Sequence, residues 1–112
     1  MANQNASSRG PILSEYANDA DMAELVESFV AELPKRIESI TSAVTESRAT
    51  DLKRIAHQLR GAAPGYGFPS IGAAAATLED LMRQAPATAE LATFKSQVDE
   101  LIDLCSRAAS KR

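Results

Sequence analysis

The chain has 112 residues, of which 45% are hydrophobic and 24% charged. These are the proportions of one globular domain and not of a disordered or fibrous chain. A core of this size leaves little material for a deep enclosed pocket, so a function carried on the surface is favoured. The formal net charge of -3 lacks the basic footprint that sequence-independent nucleic-acid binding requires, and nucleic acid is not an expected partner. No apolar run approaches the roughly 20 residues of a membrane span and no secretory signal is evident, so a cytoplasmic location with no membrane partner is expected. Cys105, the single cysteine, cannot close an internal disulfide and reads as a small buried hydrophobe.

Residues 1–11 are polar and small and read as a flexible N-terminal tail, with a single helical domain over 12–112. After a short apolar stretch at Ile12, Leu13 and Tyr16, the run Asn18-Asp19-Ala20-Asp21 offers N-cap candidates for a helix carrying Met22, Leu25, Val26 and Phe29. Pro34 interrupts, yet Ile37, Ile40 and Val44 resume the helical period, so proline either opens a second helix or kinks a long one. Thr50 or Asp51 is placed to cap the next helix, through Leu52, Ile55, Ala56 and Leu59, which runs into Pro64, Gly65 and Gly67. A further helix begins near Pro69 with Ile71, Ala74, Ala75, Leu78, Leu81 and Met82 along one side, and Pro86 closes it. The last is expected from about Thr88 to Ala109. No segment alternates like a strand, so the fold class is all-α, an antiparallel bundle with short connections.

The chemistry concentrates on the helix of His57. At about 100° per residue, Leu52, Ile55, Ala56 and Leu59 form one arc and His57 falls opposite, toward solvent. His57 is the only histidine, which excludes a multi-histidine metal site. Lys53 and Arg54 lie one turn before it, Arg60 and Gly61 one turn after. An unprotonated ring nitrogen is a nucleophile toward phosphorus, and the dianionic phosphoryl group it gains would be held by the same three cations. Gly61 costs about 1 kcal/mol relative to alanine inside a helix, and the space it leaves is suited to the approach of a partner's catalytic pocket. Pro64, on the same face, should bend or end the helix between Pro64 and Gly67.

The run His57-Gln58-Leu59-Arg60-Gly61-Ala62-Ala63, followed by Gly65-Tyr66-Gly67-Phe68, closely resembles the histidine-containing phosphotransfer (HPt) domains of multistep two-component signalling and the phosphotransfer domain of chemotaxis histidine kinases. The resemblance rests on His57, Leu59, Arg60, Gly61 and Gly67, with Thr77-Leu78-Glu79 on the following helix also in keeping. Arg60 stands where the family usually has lysine, which keeps the charge as a planar fork. The resemblance implies a four-helix bundle with an additional N-terminal helix. It further implies His57 as phosphoacceptor through Nε2, a response-regulator receiver domain and a sensor histidine kinase as partners, and no cofactor on this chain, magnesium belonging to the receiver.

Two other classes compete. A hydrolase would need a Gly-x-Ser-x-Gly elbow or another oriented nucleophile, and an exposed helix face does not exclude water. A helical adaptor that docks on a receiver or kinase without becoming phosphorylated is the stronger alternative. One bundle can satisfy the apolar stripes, so a monomer is expected.

Overall fold

The computed structural model describes residues 10–110. Four helices make up most of them: α1 (Ala23–Thr45), α2 (Ala49–Ala62), α3 (Pro69–Gln84) and α4 (Lys95–Ser110), with 3-10 turns at Ala63–Tyr66 and Leu91–Phe94. Helix α1 packs on α2 and α4, and α3 packs on the same two neighbours, so the helices close a ring around one core. Each contributes a stripe at helical spacing: Leu33 and Ile40; Leu52, Ile55 and Leu59; Ile71, Ala75 and Leu78; Val98, Leu101 and Cys105. Burying a side chain of the leucine or isoleucine kind contributes about 1.5–3 kcal/mol. Burial pushes the Cys105 thiol up to about 12, against a smaller opposing pull from Arg36, which suits its reading as a core residue.

Several boundaries differ from the sequence expectation. Of the two courses left open at Pro34, α1 takes the single long helix: only the hydrogen bond to the Val30 carbonyl is lost, and the buried Leu33 and Ile40 on either side hold the segment helical. Asp19 does not cap α1; its Oδ1 accepts from the Asp21 amide at 2.9 Å within a run of turns, and Met22 takes the cap position with no side-chain bond. Helix α2 starts at Ala49 with Arg48 at its cap, leaving Thr50 and Asp51 inside the first turn. Residues 88–90 are not helical, and α4 begins only after the Leu91–Phe94 turn. Leu81, assigned to the apolar side of α3, is exposed.

The expected flexible tail falls mostly on residues 1–9, outside the described residues. From Gly10 to Met22 the chain forms a strap with turns but no helix, where the resemblance implied an additional one. The strap is tied to two parts of the bundle. Ile12 donates its amide to the Arg107 carbonyl at 3.1 Å, and Arg107 Nε donates to the Gly10 carbonyl at 2.8 Å. Buried Ser14 donates Oγ–H to the Tyr66 carbonyl at 2.7 Å, and the Glu15 amide donates to the Gly67 carbonyl at 2.8 Å.

The strap therefore covers the turn that ends the His57 helix. There Gly67 is left-handed (φ 88°), with Phe68 N–H bonded to the Ala63 carbonyl and Gly67 N–H to the Pro64 carbonyl, the Schellman arrangement of a helix end. The bend expected between Pro64 and Gly67 is realised as this turn. Pro64 folds its ring over Gly72 of α3, where an added Cβ would lie 2.6 Å from Pro64 Cγ. Phe68 is buried, and Tyr66 stacks on Phe29 with ring centroids 4.9 Å apart, so both aromatics serve the core.

Candidate functional site

His57 projects from the middle of α2 with its side chain 67% exposed, as its position opposite the apolar arc requires. The sequence did not reveal what holds it. Glu79 of α3 sits one residue past Leu78 on the buried side of its helix, with its side chain 1% exposed, and its Oε2 lies 2.9 Å from His57 Nδ1.

A buried carboxylate is costly unless its oxygens are satisfied. Glu79 accepts four hydrogen bonds: His57 and both Arg83 Nε and Nη2 on Oε2, at 2.9, 3.2 and 2.9 Å, and Arg60 Nη1 on Oε1 at 3.2 Å. Burial alone would push this carboxyl up, but the bonds from Arg83, Arg60 and His57 outweigh it and hold it below the usual carboxylate range. An ionised carboxylate can only accept, so Nδ1 carries the proton, and in the neutral ring Nε2, on the other side, holds the lone pair.

The flanking cations divide between the two sides of α2. Arg60 lies on the α3 side, shared between Glu79 and Asp80 (3.1 Å), and those bonds raise its pKa, so it stays charged. Lys53 is half-buried and lines a cleft with Met82 and Arg83 at the end of α3. Arg54 takes the other side, paired with Asp51 at 3.0 Å and lining a polar hollow with Arg36 and Arg48. Gln58, next to His57, receives a hydrogen bond from Arg36 of α1 on that same side. A Cβ on Gly61 would meet nothing within 4 Å, so the surface beside His57 is open there, and Pro64 is exposed one turn further on.

Glu79 and Arg83 are the site residues that sequence reasoning left out. A signal was present: a Glu–Arg pair four apart on a helix, in a position where the helical period makes Glu79 a neighbour of the core residues Ala75, Leu78 and Met82. A buried position occupied by an acid calls for partners on the facing helix, and α2 supplies His57 and Arg60.

The geometry thus presents an exposed imidazole on a rigid helix, one nitrogen fixed by a buried carboxylate, the other open to solvent beside an anchored guanidinium. A family model described as Hpt domain matches residues 24–111, a span that holds the four helices but for Ala23 and includes every residue of this site. The chain belongs to the Hpt domain family. Such domains act in phosphotransfer in two-component signalling, which is the chemistry an exposed nucleophilic histidine suits. No curated protein and no solved structure matches the chain. Among the described residues of this Hpt domain no helix is long and apolar enough to cross a membrane.

Proposed function

We propose that His57 is a phosphoryl carrier: it accepts the group from a sensor kinase or a receiver aspartyl phosphate and passes it to a receiver aspartate. The observation that supports this reading is the pairing of an exposed ring with a buried, ionised Glu79 on Nδ1.

In the transfer, the Nε2 lone pair forms the N–P bond as the O–P bond to the donor breaks, and the donor oxygen leaves with that electron pair. The ring, still carrying its Nδ1 proton, becomes cationic as the bond forms. Glu79 already faces that proton and stabilises the developing charge without reorganising. Arg60, with Nη1 committed to Glu79 and Asp80, keeps the rest of its guanidinium available to the phosphoryl oxygens, and Lys53 and Arg54 add positive field on either side. The open surface at Gly61 and Pro64 admits the receiver. Phosphoryl transfer asks for positioning and charge stabilisation more than covalent work, so the domain acts as a carrier and not as an enzyme in its own right.

On this reading 12–112 is a single domain whose four helices form an antiparallel bundle, and the protein is a cytoplasmic monomer. Magnesium belongs to the receiver, and this chain uses no cofactor.

The test is incubation with a chemically phosphorylated receiver and magnesium, followed by phosphorus NMR and a phosphate-affinity gel. Wild type should gain an acid-labile phosphohistidine and His57→Gln none, with an unchanged circular dichroism spectrum. Label retained in His57→Gln overturns the assignment. Binding of a receiver with no label on wild type would favour a docking adaptor.

A further inference from the structure

The α1/α4 side of the ring lies opposite the α2/α3 side that carries His57 and Glu79. A groove of about 580 Å³ runs there between the strap and α1. Its α1 wall is a helical stripe from Ala23 through Val26, Val30 and Ala31 to Pro34, and Leu13 and Tyr16 of the strap form the other wall. The groove exists because small side chains, Ala23 and Ala31 of α1 and Ala108 and Ala109 of α4, meet where larger ones would have closed the seam. At 1.5 Å per residue the stripe is about 16 Å long, or three helical turns.

Two independent features mark this surface. Among the described residues four large apolar side chains are exposed, and three of them, Leu13 (68%), Leu25 (50%) and Tyr16 (36%), belong to the strap or the first turn of α1. Such clustering marks an interaction site more than a scatter of single residues does. The second feature is charge. Between Gly10 and Pro34 the sequence has six acids, Glu15, Asp19, Asp21, Glu24, Glu27 and Glu32, and no lysine, arginine or histidine. All six are exposed. The described residues after Pro34 carry nine acids and nine lysines or arginines, a net of zero. The strap and the first half of α1 are therefore the acidic part of the described chain.

We infer that this groove is a second docking site, for a basic amphipathic helix of a partner protein. Apolar side chains of that helix would enter between Leu13, Val26 and Val30, while its lysines or arginines would meet Glu27 in the groove lining and the exposed acids of the strap and α1 that flank it. The same acids repel nucleic acid and anionic lipid surfaces, which leaves a protein segment as the complementary occupant. Because the groove and His57 occupy opposite sides of the ring, the partner and a receiver can bind together.

The test uses the full chain, isotopically labelled, titrated with a synthetic amphipathic helix that carries leucines on one face and lysines on the other. Amide shifts should concentrate at Leu13, Tyr16, Val26 and Val30, and Glu27→Lys or Leu13→Ser should each weaken binding about fivefold. Both positions are exposed, so the fold survives either change. Raising the salt concentration should weaken binding further, and a phosphorylated receiver should still label His57 in the presence of the peptide. The inference fails if the shifts gather around His57, if no shifts appear, or if a glutamate-bearing version of the peptide binds equally well. It also fails if sedimentation shows that a second copy of this chain covers the groove.

Discussion

The two ends of the segment between α1 and α3 share one hydrogen-bonding pattern and differ in everything laid over it. At the end of α1, Ser47 is left-handed (φ 58°), the Arg48 amide bonds to the Ala43 carbonyl at 2.7 Å and the Ser47 amide to the Val44 carbonyl at 3.2 Å. At the end of the turn after α2, Gly67 is left-handed, and Phe68 and Gly67 make the corresponding bonds, each 3.0 Å, to Ala63 and Pro64. Both are Schellman ends. Ser47 is exposed, whereas Gly67 is buried beneath the strap, where an added Cβ would strike Ser14 Oγ and lie 2.8 Å from the Glu15 amide nitrogen. The local motif selects the backbone shape, and the tertiary surroundings decide which residue it tolerates.

The largest expected effect follows from the covered end. Gly67→Ala combines a left-handed alanine, about 1–2 kcal/mol, with a collision against the strap backbone that cannot relax by rotating a side chain. We expect a total loss of about 3 kcal/mol in urea unfolding. A loss no greater than the left-handed penalty would mean that the strap yields, and the contrast between the two ends would shrink to residue preference alone.

Between those ends α2 is pinned to α3 by Glu79, and the second prediction concerns that pin. Glu79→Gln keeps an acceptor for His57 Nδ1 but removes the charge that meets the developing ring cation, so transfer to or from His57 should slow about tenfold. It should also change acid stability. The folded carboxyl lies below its usual range, so the stability it contributes is complete above the unfolded value of about 4.3 and disappears as pH falls through the lower folded value. Wild type should therefore lose stability relative to Glu79→Gln across the window below about pH 4. Parallel urea midpoints for the two proteins through that window would show that the carboxylate contributes nothing there.

How far the sequence could be read follows the same division. The Gly67 end was legible because proline and two glycines cluster there, and the exposed His57 was legible because one apolar arc places it on the wheel. The Ser47 end gave no sign: serine is not a residue that demands a positive φ. Glu79 was hidden for a related reason. Periodicity within α3 sets Glu79 beside Ala75, Leu78 and Met82, but which partners make a buried acid tolerable there is a property of the packed pair α2/α3, where His57 and Arg60 face it. The unbroken course of α1 through Pro34 and the late start of α4 are likewise settled by packing, which outweighs local preference.

A smaller effect is expected at Gly61, where a Cβ meets nothing. Gly61→Glu should keep the fold and raise the unfolding midpoint by a helix-propensity gain of up to about 1 kcal/mol, while weakening receiver docking about fivefold through bulk and charge beside the phosphoryl group. Unchanged receiver affinity would remove the access argument for this glycine and leave its presence in α2 without a functional reason.

The smallest effect completes the comparison at the exposed end. Ser47→Gly removes the cost of holding an L-residue at φ 58°, but it also frees the unfolded chain, and these two terms oppose each other. Nothing covers this turn in the way the strap covers Gly67, so the strain relief should prevail by about 0.5–1 kcal/mol, read as a higher urea midpoint with an unchanged slope. The sign carries the argument: glycine stabilising at Ser47 while alanine destabilises at Gly67 by several times as much would separate the conformational requirement common to both ends from the steric one that the strap imposes on one of them.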